Sequence, residues 1–191
     1  MKNISIDSTW TLFLDRDGVI NLRYQDDYVK TWSDFAFIPE AIESITAFRN
    51  IFKYIFIVTN QQGIGKGLMT EHDLQLIHLQ MLLMLEEKNQ TAFPAINRVY
   101  FCPSLTAAND PNRKPEIGMA LQAKKEFQGV DFQKSIMIGD TISDMQFGRK
   151  AGMVTIFFGD GEVGRADEQL IDWSCKNWSE VRQVIEHLQS K

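Results

Sequence analysis

Trp10-Thr11-Leu12-Phe13-Leu14-Asp15-Arg16-Asp17-Gly18-Val19 decides the fold. An apolar run of strand length halts at a carboxylate, a second carboxylate follows two positions on, and a glycine then allows a tight turn. On extended backbone, residues two apart share a face, so Asp15 and Asp17 are predicted to point the same way into a site. Two carboxylates in one place repel each other unless a cation lies between them. Mg²⁺ suits that position, because it takes oxygen ligands from one or two carboxylates, water and a substrate phosphate. An isolated Asp-x-Asp is more often a surface turn, so the reading depends on what the rest of the chain brings to the same place.

Further along, four more β-branched or aromatic runs alternate with helical patterns: Tyr54-Ile55-Phe56-Ile57-Val58, Val99-Tyr100-Phe101, Ile136-Met137-Ile138 and Val154-Thr155-Ile156-Phe157-Phe158. Helices are predicted after Pro39, from Thr70 as N-cap to about Lys88, from Pro115, and from about Ser179. Five β-then-α units predict an α/β chain, a Rossmann-like three-layer sandwich with a mostly parallel sheet covered on both faces. Ligands bind such sheets beyond the carboxyl ends of the strands. Asp15, Thr59 and Asp140 all stand at predicted strand ends.

Asp140 is the expected third metal carboxylate beside Asp15 and Asp17, and Asp144, one helical turn on, is expected behind it, orienting water ligands or Lys114. Thr59 and Asn60, followed by the glycine-bearing segment Gln61-Gln62-Gly63-Ile64-Gly65-Lys66-Gly67, offer a hydroxyl and backbone N–H groups to phosphate oxygens. That segment fits neither the GxxxxGK[ST] nor the GxGxxG pattern. Lys114 is expected to be held before a helix start, with its ammonium reaching a phosphoryl group.

At 191 residues the chain suits one domain, 1–191, with a substantial core. Twenty basic against 25 acidic residues, a net charge of -5, count against a nucleic-acid partner held by a broad positive surface. The N-terminal segment lacks the apolar stretch of a signal peptide, and no run reaches about 18 apolar residues, so no membrane association and a cytoplasmic location are expected. The two cysteines, Cys102 and Cys175, form no CxxC pair and are expected to be thiols. His72, His78 and His187 are expected in surface or capping roles, Leu79 to Leu85 as core helix, and Gly159 to Arg165 as a plain turn.

Taken in order, Asp15-Arg16-Asp17-Gly18-Val19, Thr59-Asn60, Lys114 and Gly139-Asp140 with Asp144 resemble the four motifs of the haloacid dehalogenase superfamily over residues 10 to 160. The resemblance implies a Mg²⁺-dependent phosphatase acting on a small phosphorylated metabolite, as a monomer or small homo-oligomer. Asp15 would attack phosphorus to form an aspartyl-phosphate, and Asp17 would protonate the leaving oxygen and then deprotonate the hydrolytic water. Thr59 and Lys114 would complete the catalytic set. Two rival readings share these features, a phosphoacceptor domain without turnover and a polynucleotide 3′-phosphatase.

Within the superfamily, Asp15 to Asn21, Tyr28-Val29, Thr59 to Gly67, Cys102-Pro103 and Arg113 to Met119 are similar to the small phosphatases acting on D-glycero-D-manno-heptose 1,7-bisphosphate and on histidinol phosphate. That likeness implies no large cap domain and a substrate site including Tyr28, Asn60, Gln61, Gln62, Arg113 and Lys114. Such relatives usually hold a structural zinc with CxH and CxC pairs. Here Ser104 stands at the expected histidine, and Asp110 and Asn112 near the expected cysteines, a poor Zn²⁺ donor set, so no structural zinc is expected.

Overall fold

The computed structural model describes residues 4–161 and 164–190. Six strands form one sheet, β1 (Thr11–Leu14), β2 (Tyr54–Asn60), β3 (Arg98–Cys102), β4 (Ser135–Gly139), β5 (Val154–Phe158) and β6 (Trp173–Cys175). They run in the order β3-β2-β1-β4-β5-β6, and every pairing is parallel. The sixth strand was not anticipated from the sequence. Its three residues lie at the sheet edge and are too few to give a period.

The helices are α1 (Ala41–Phe48), α2 (Gln62–Gly65), α3 (Glu71–Lys88), α4 (Gly118–Glu126), α5 (Ile142–Ala151) and α6 (Trp178–Gln189). Because successive strand side chains face opposite ways, the sheet feeds two cores. Leu12, Leu14, Ile55, Ile57, Ile136 and Ile138 pack with Ile45 of α1, Ile77 of α3 and Trp178 of α6. Phe13, Phe56, Val58 and Met137 pack with Met119 of α4 and Phe147 of α5 on the other side. The strands are buried on both faces, which is why they read as continuous apolar runs.

Thr70 caps α3 as predicted, its Oγ1 accepting from Asp73 N at 3.1 Å. Pro115 does not open α4. Asn60 holds the Lys114 peptide and Gly118 N donates to Pro111 O, so residues 115–117 are spent in a turn and the helix starts at Gly118. The 79–85 segment is only half core. Met81 and Leu85 are buried, whereas Leu79 and Leu83 are exposed on the opposite side of α3. Between β1 and α1 the chain has a short helical turn at Trp32–Asp34 and no inserted layer, consistent with the absence of a large cap. No helix among the described residues is long and apolar enough to cross a membrane.

The chain lays β1, β2 and β3 outward in one direction, then returns to place β4 on the other side of β1. The crevice at such a reversal lies beyond the carboxyl ends of β1 and β4. Leu14 and Ile138 are in register there, and Asp15 N donates to Ile138 O at 2.9 Å.

Candidate active site

Where β1 ends, Asp15 is buried and its Oδ1 lies 2.8 Å from Lys114 Nζ. The same ammonium is 2.6 Å from Asp144 Oδ1 and donates to Val58 O at 2.7 Å. Asp144 is fully buried at the start of α5, its Oδ2 accepting from Thr141 N at 3.1 Å and Thr141 Oγ1 at 2.6 Å. Asp140, one residue past β4, completes the cluster. Oxygen atoms of Asp15, Asp140 and Asp144 lie within 4.8 Å of one another. Asp140 Oδ2 accepts from Arg23 Nη1 at 2.9 Å.

Two glycines make room for this cluster. A Cβ on Gly139 would overlap the Asp144 side chain, and one on Gly18, which adopts φ +91°, would overlap the Asp140 carboxylate.

So much negative charge in so little water has an electrostatic cost. Burial, opposed by Lys114 and reinforced by Asp144 and Asp140, pushes the Asp15 carboxyl up to about 7. Burial also raises Asp140, with Arg23 working against it. Burial alone would depress the Lys114 ammonium, but Asp144 and Asp15 more than reverse this, so it stays charged. Asp140 Oδ1 is buried without a hydrogen-bond donor. An all-oxygen cluster with an under-satisfied carboxylate fits a divalent cation such as Mg²⁺.

The Asp17 carboxylate, expected beside that of Asp15, stands outside the group formed by Asp15, Asp140 and Asp144. Asp144, expected to orient water ligands or Lys114, pairs with the Lys114 ammonium. Arg16 Nη2 donates to both Asp17 oxygens at 2.8 and 2.9 Å, with Asn21 Nδ2 at 2.9 Å and Gln61 Nε2 at 2.7 Å. The two-residue period holds only on extended backbone. Here the chain turns at once, Ile20 N donating to Arg16 O and Gly18 N to Asn21 O. Burial would raise the Asp17 carboxyl, but Arg16 first, and then the hydrogen bonds from Asn21 and Gln61, bring it below its usual range.

A family model described as HAD-hydrolase-like matches residues 111–188. Among curated relatives, a D-glycero-alpha-D-manno-heptose-1,7-bisphosphate 7-phosphatase of Campylobacter jejuni is 38% identical over 159 residues, 83% of this chain and 87% of the relative. Its namesake from Mycobacterium tuberculosis is 36% identical over 137 residues, 72% of this chain and 70% of that one. The chain belongs to the haloacid dehalogenase-like phosphatases. The fold agrees with solved structures of this family. A putative HAD-like phosphatase from Mesorhizobium loti aligns at TM-score 0.74 with 26% identity over 98% of this chain and 89% of that one. A D,D-heptose 1,7-bisphosphate phosphatase of B. bronchiseptica, complexed with magnesium and phosphate, aligns at TM-score 0.79 with 24% identity over 93% of this chain and 99% of that one.

In this phosphatase fold a cleft of about 520 Å³ gathers the remaining sequence-predicted residues, Tyr28, Thr59, Asn60, Gln61, Gln62, Arg113 and Lys114, beside Asp15 and Asp17. Several are occupied with one another. Thr59 Oγ1 accepts from Gln61 Nε2 at 2.8 Å, Asn60 holds the Lys114 backbone, and Arg113 Nη1 donates to Ser104 O at 3.0 Å. Gln61 is buried, so it acts through Asp17 and Thr59, whereas Tyr28 faces the cleft under the Lys66 ammonium, 5.3 Å from its ring centroid.

Sequence reasoning missed Arg23, Lys66, Thr141 and Ser143, which also line the cleft. Arg23 and Lys66 are single cations in loops and carry no pattern that would single them out. His78 was misread as a surface or capping residue. It is buried on the inner side of α3, with Nε2 3.1 Å from Arg16 Nη1. Glu162 and Val163 of the 159–165 segment lie outside the described residues.

The loop where relatives are expected to carry zinc is tied by hydrogen bonds. Ser104 Oγ donates to Asp110 Oδ2 at 2.5 Å, Asn112 N to Asp110 Oδ1 at 2.8 Å, and Gly65 N to Pro103 O at 3.1 Å. Ser104 and Asp110, standing at or near expected ligand positions, now bond to each other.

Proposed function

We propose that residues 1–191 form one phosphatase domain that releases inorganic phosphate from D-glycero-D-manno-heptose 1,7-bisphosphate, with Mg²⁺ held by Asp15, Asp140 and Asp144. The observation that carries this reading is the Lys114 ammonium, in contact with Asp15 Oδ1 and Asp144 Oδ1 beside Asp140 at the sheet's reversal. The substrate rests on the names of relatives at 36–38% identity that span most of their own length. Both alpha and beta anomers occur among relatives' names.

Asp15 presents its free oxygen to phosphorus while Lys114 aligns it and favours its ionised form against the effect of burial. Attack forms the Asp15 Oδ–P bond and breaks the P–O bond to the sugar, and Lys114 and the Thr59 hydroxyl face the charge on the phosphoryl oxygens. Bound Mg²⁺ would neutralise the clustered carboxylates and polarise the phosphoryl group. Asp17 supplies the proton to the leaving oxygen and takes one from the water that cleaves the acyl-phosphate. Arg16 favours the Asp17 anion, which suits the base step. A phosphomonoester has a second pKa of about 6, so a substrate monoanion can deliver to Asp17 the proton that Asp17 passes to the leaving oxygen.

The test is phosphate release from both anomers of heptose 1,7-bisphosphate, from histidinol phosphate and from a 3′-phosphorylated oligonucleotide, with Mg²⁺ and with a chelator. Mg²⁺-dependent turnover fastest on a heptose bisphosphate is expected. Faster turnover of another substrate would reassign it, and no turnover of any would end the phosphatase reading.

A further inference from the structure

Behind Asp17 lies a buried polar chain that the chemistry above does not use directly. The Arg16 side chain is fully buried, and its Nε has no hydrogen-bond partner. Nη2 holds both Asp17 oxygens and lies 3.3 Å from Gln61 Oε1, and Nη1 is 3.1 Å from His78 Nε2. A guanidinium has five donors and no acceptor, so His78 can serve it only by accepting through an unprotonated Nε2. Burial, with the Arg16 charge adding to it, lowers the imidazole to about 3, so it is neutral at neutral pH. His78 sits on the buried side of α3 with Leu74, Ile77 and Met81, its ring edge-on to Phe101.

We propose that His78 is a positioning residue for the acid/base step: by accepting from Arg16 Nη1 it orients the guanidinium, whose Nη2 places the Asp17 carboxylate opposite the leaving oxygen. The proposal rests on the phosphatase reading. Proton transfer requires the carboxylate oxygen within about 2.6–3.2 Å of the leaving oxygen, and misplacement by about 1 Å can cost on the order of 10²-fold. With the acceptor gone, Arg16 Nη1 is a buried, unpaired charged donor. The guanidinium turns to find another partner, and Asp17, held by Nη2, moves with it.

The experiment compares His78→Gln, which restores an amide acceptor on a side chain of similar reach, with His78→Met, of similar length but offering only a weak sulfur acceptor. Activity is read on a sugar phosphate, whose leaving alkoxide needs a proton, and on p-nitrophenyl phosphate, whose leaving phenolate needs little. His78→Met is expected to lower kcat about tenfold more on the sugar phosphate than on the aryl ester, a fraction of the 10²–10⁴-fold supplied by general acid catalysis. His78→Gln is expected to restore the ratio to within about threefold. If His78→Met does not fold, His78→Asn, whose amide ends short of Nε2, gives the same contrast. Equal losses on the two esters, or no rescue by Gln, overturn the proposal while leaving the phosphatase reading intact. Failure of the unaltered protein to release phosphate from either ester removes that reading and the proposal with it.

Discussion

The Asn60 side-chain amide takes both hydrogen bonds of the Lys114 peptide, Oδ1 accepting from Lys114 N and Nδ2 donating to Lys114 O, each at 3.0 Å. A strand-end residue on β2 thereby fixes the backbone of a lysine 54 positions later, whose ammonium sits between Asp15 and Asp144. Asn60→Asp replaces the donor with an oxygen facing the Lys114 carbonyl. It is expected to destabilise the fold by about 1–3 kcal/mol and to lower kcat about tenfold or more through misplacement of the ammonium. Thermal unfolding and steady-state phosphate release check both.

Asp15→Asn removes the nucleophile, and phosphate release is expected to fall below detection. Lys114→Ala is expected to cost on the order of 10²-fold or more in kcat, as for removal of a preorganised donor. It also strands buried carboxylates, a loss on the order of 3–5 kcal/mol in denaturant unfolding. Addition of Mg²⁺ is expected to recover part of that stability, which a titration followed by thermal unfolding would detect.

Gly18→Ala puts a Cβ at φ +91° against the Asp140 carboxylate. A left-handed non-glycine residue costs about 1–3 kcal/mol, and Asp140 must move as well. Weaker Mg²⁺ binding, measured by calorimetry on the folded variant, is the expected result.

His78 also predicts an acid limb of stability. Its folded value, lowered by burial and then by Arg16, is about 3 against 6.5 for the free side chain. Above pH 6.5 neither folded nor unfolded chain holds the proton, and the residue contributes no pH dependence. Between 6.5 and about 3 only the unfolded chain binds it, so lowering the pH favours unfolding by up to about 1.4 kcal/mol per pH unit. His78→Gln should unfold with a shallower pH dependence in that window, measured by denaturant melts from pH 7 to 4.

The strand at Leu12, Phe13 and Leu14 was legible because a strand buried on both faces must be apolar at every position. Asp15, Thr59 and Asp140 were legible because each interrupts or ends such a run at the same edge of the sheet. The β6 strand lacked the length to show a period. The turn before α4 was hidden because its cause, the grip of Asn60 on Lys114, joins residues 54 apart in the chain.

By itself the sequence determined the parallel α/β layering and the strand-end residues, since burial and backbone periodicity are local properties of the chain. Only the tertiary structure decided which carboxylates meet. The turn after Asp15 carries Asp17 to Arg16, Asn21 and Gln61, while helix α5 brings Asp144 to Lys114 beside Asp15. It likewise turned His78 from an apparent surface residue into the partner of a buried arginine. Attraction and repulsion between these groups depend on distance through space, and sequence spacing does not encode that distance once the chain leaves its strands and helices.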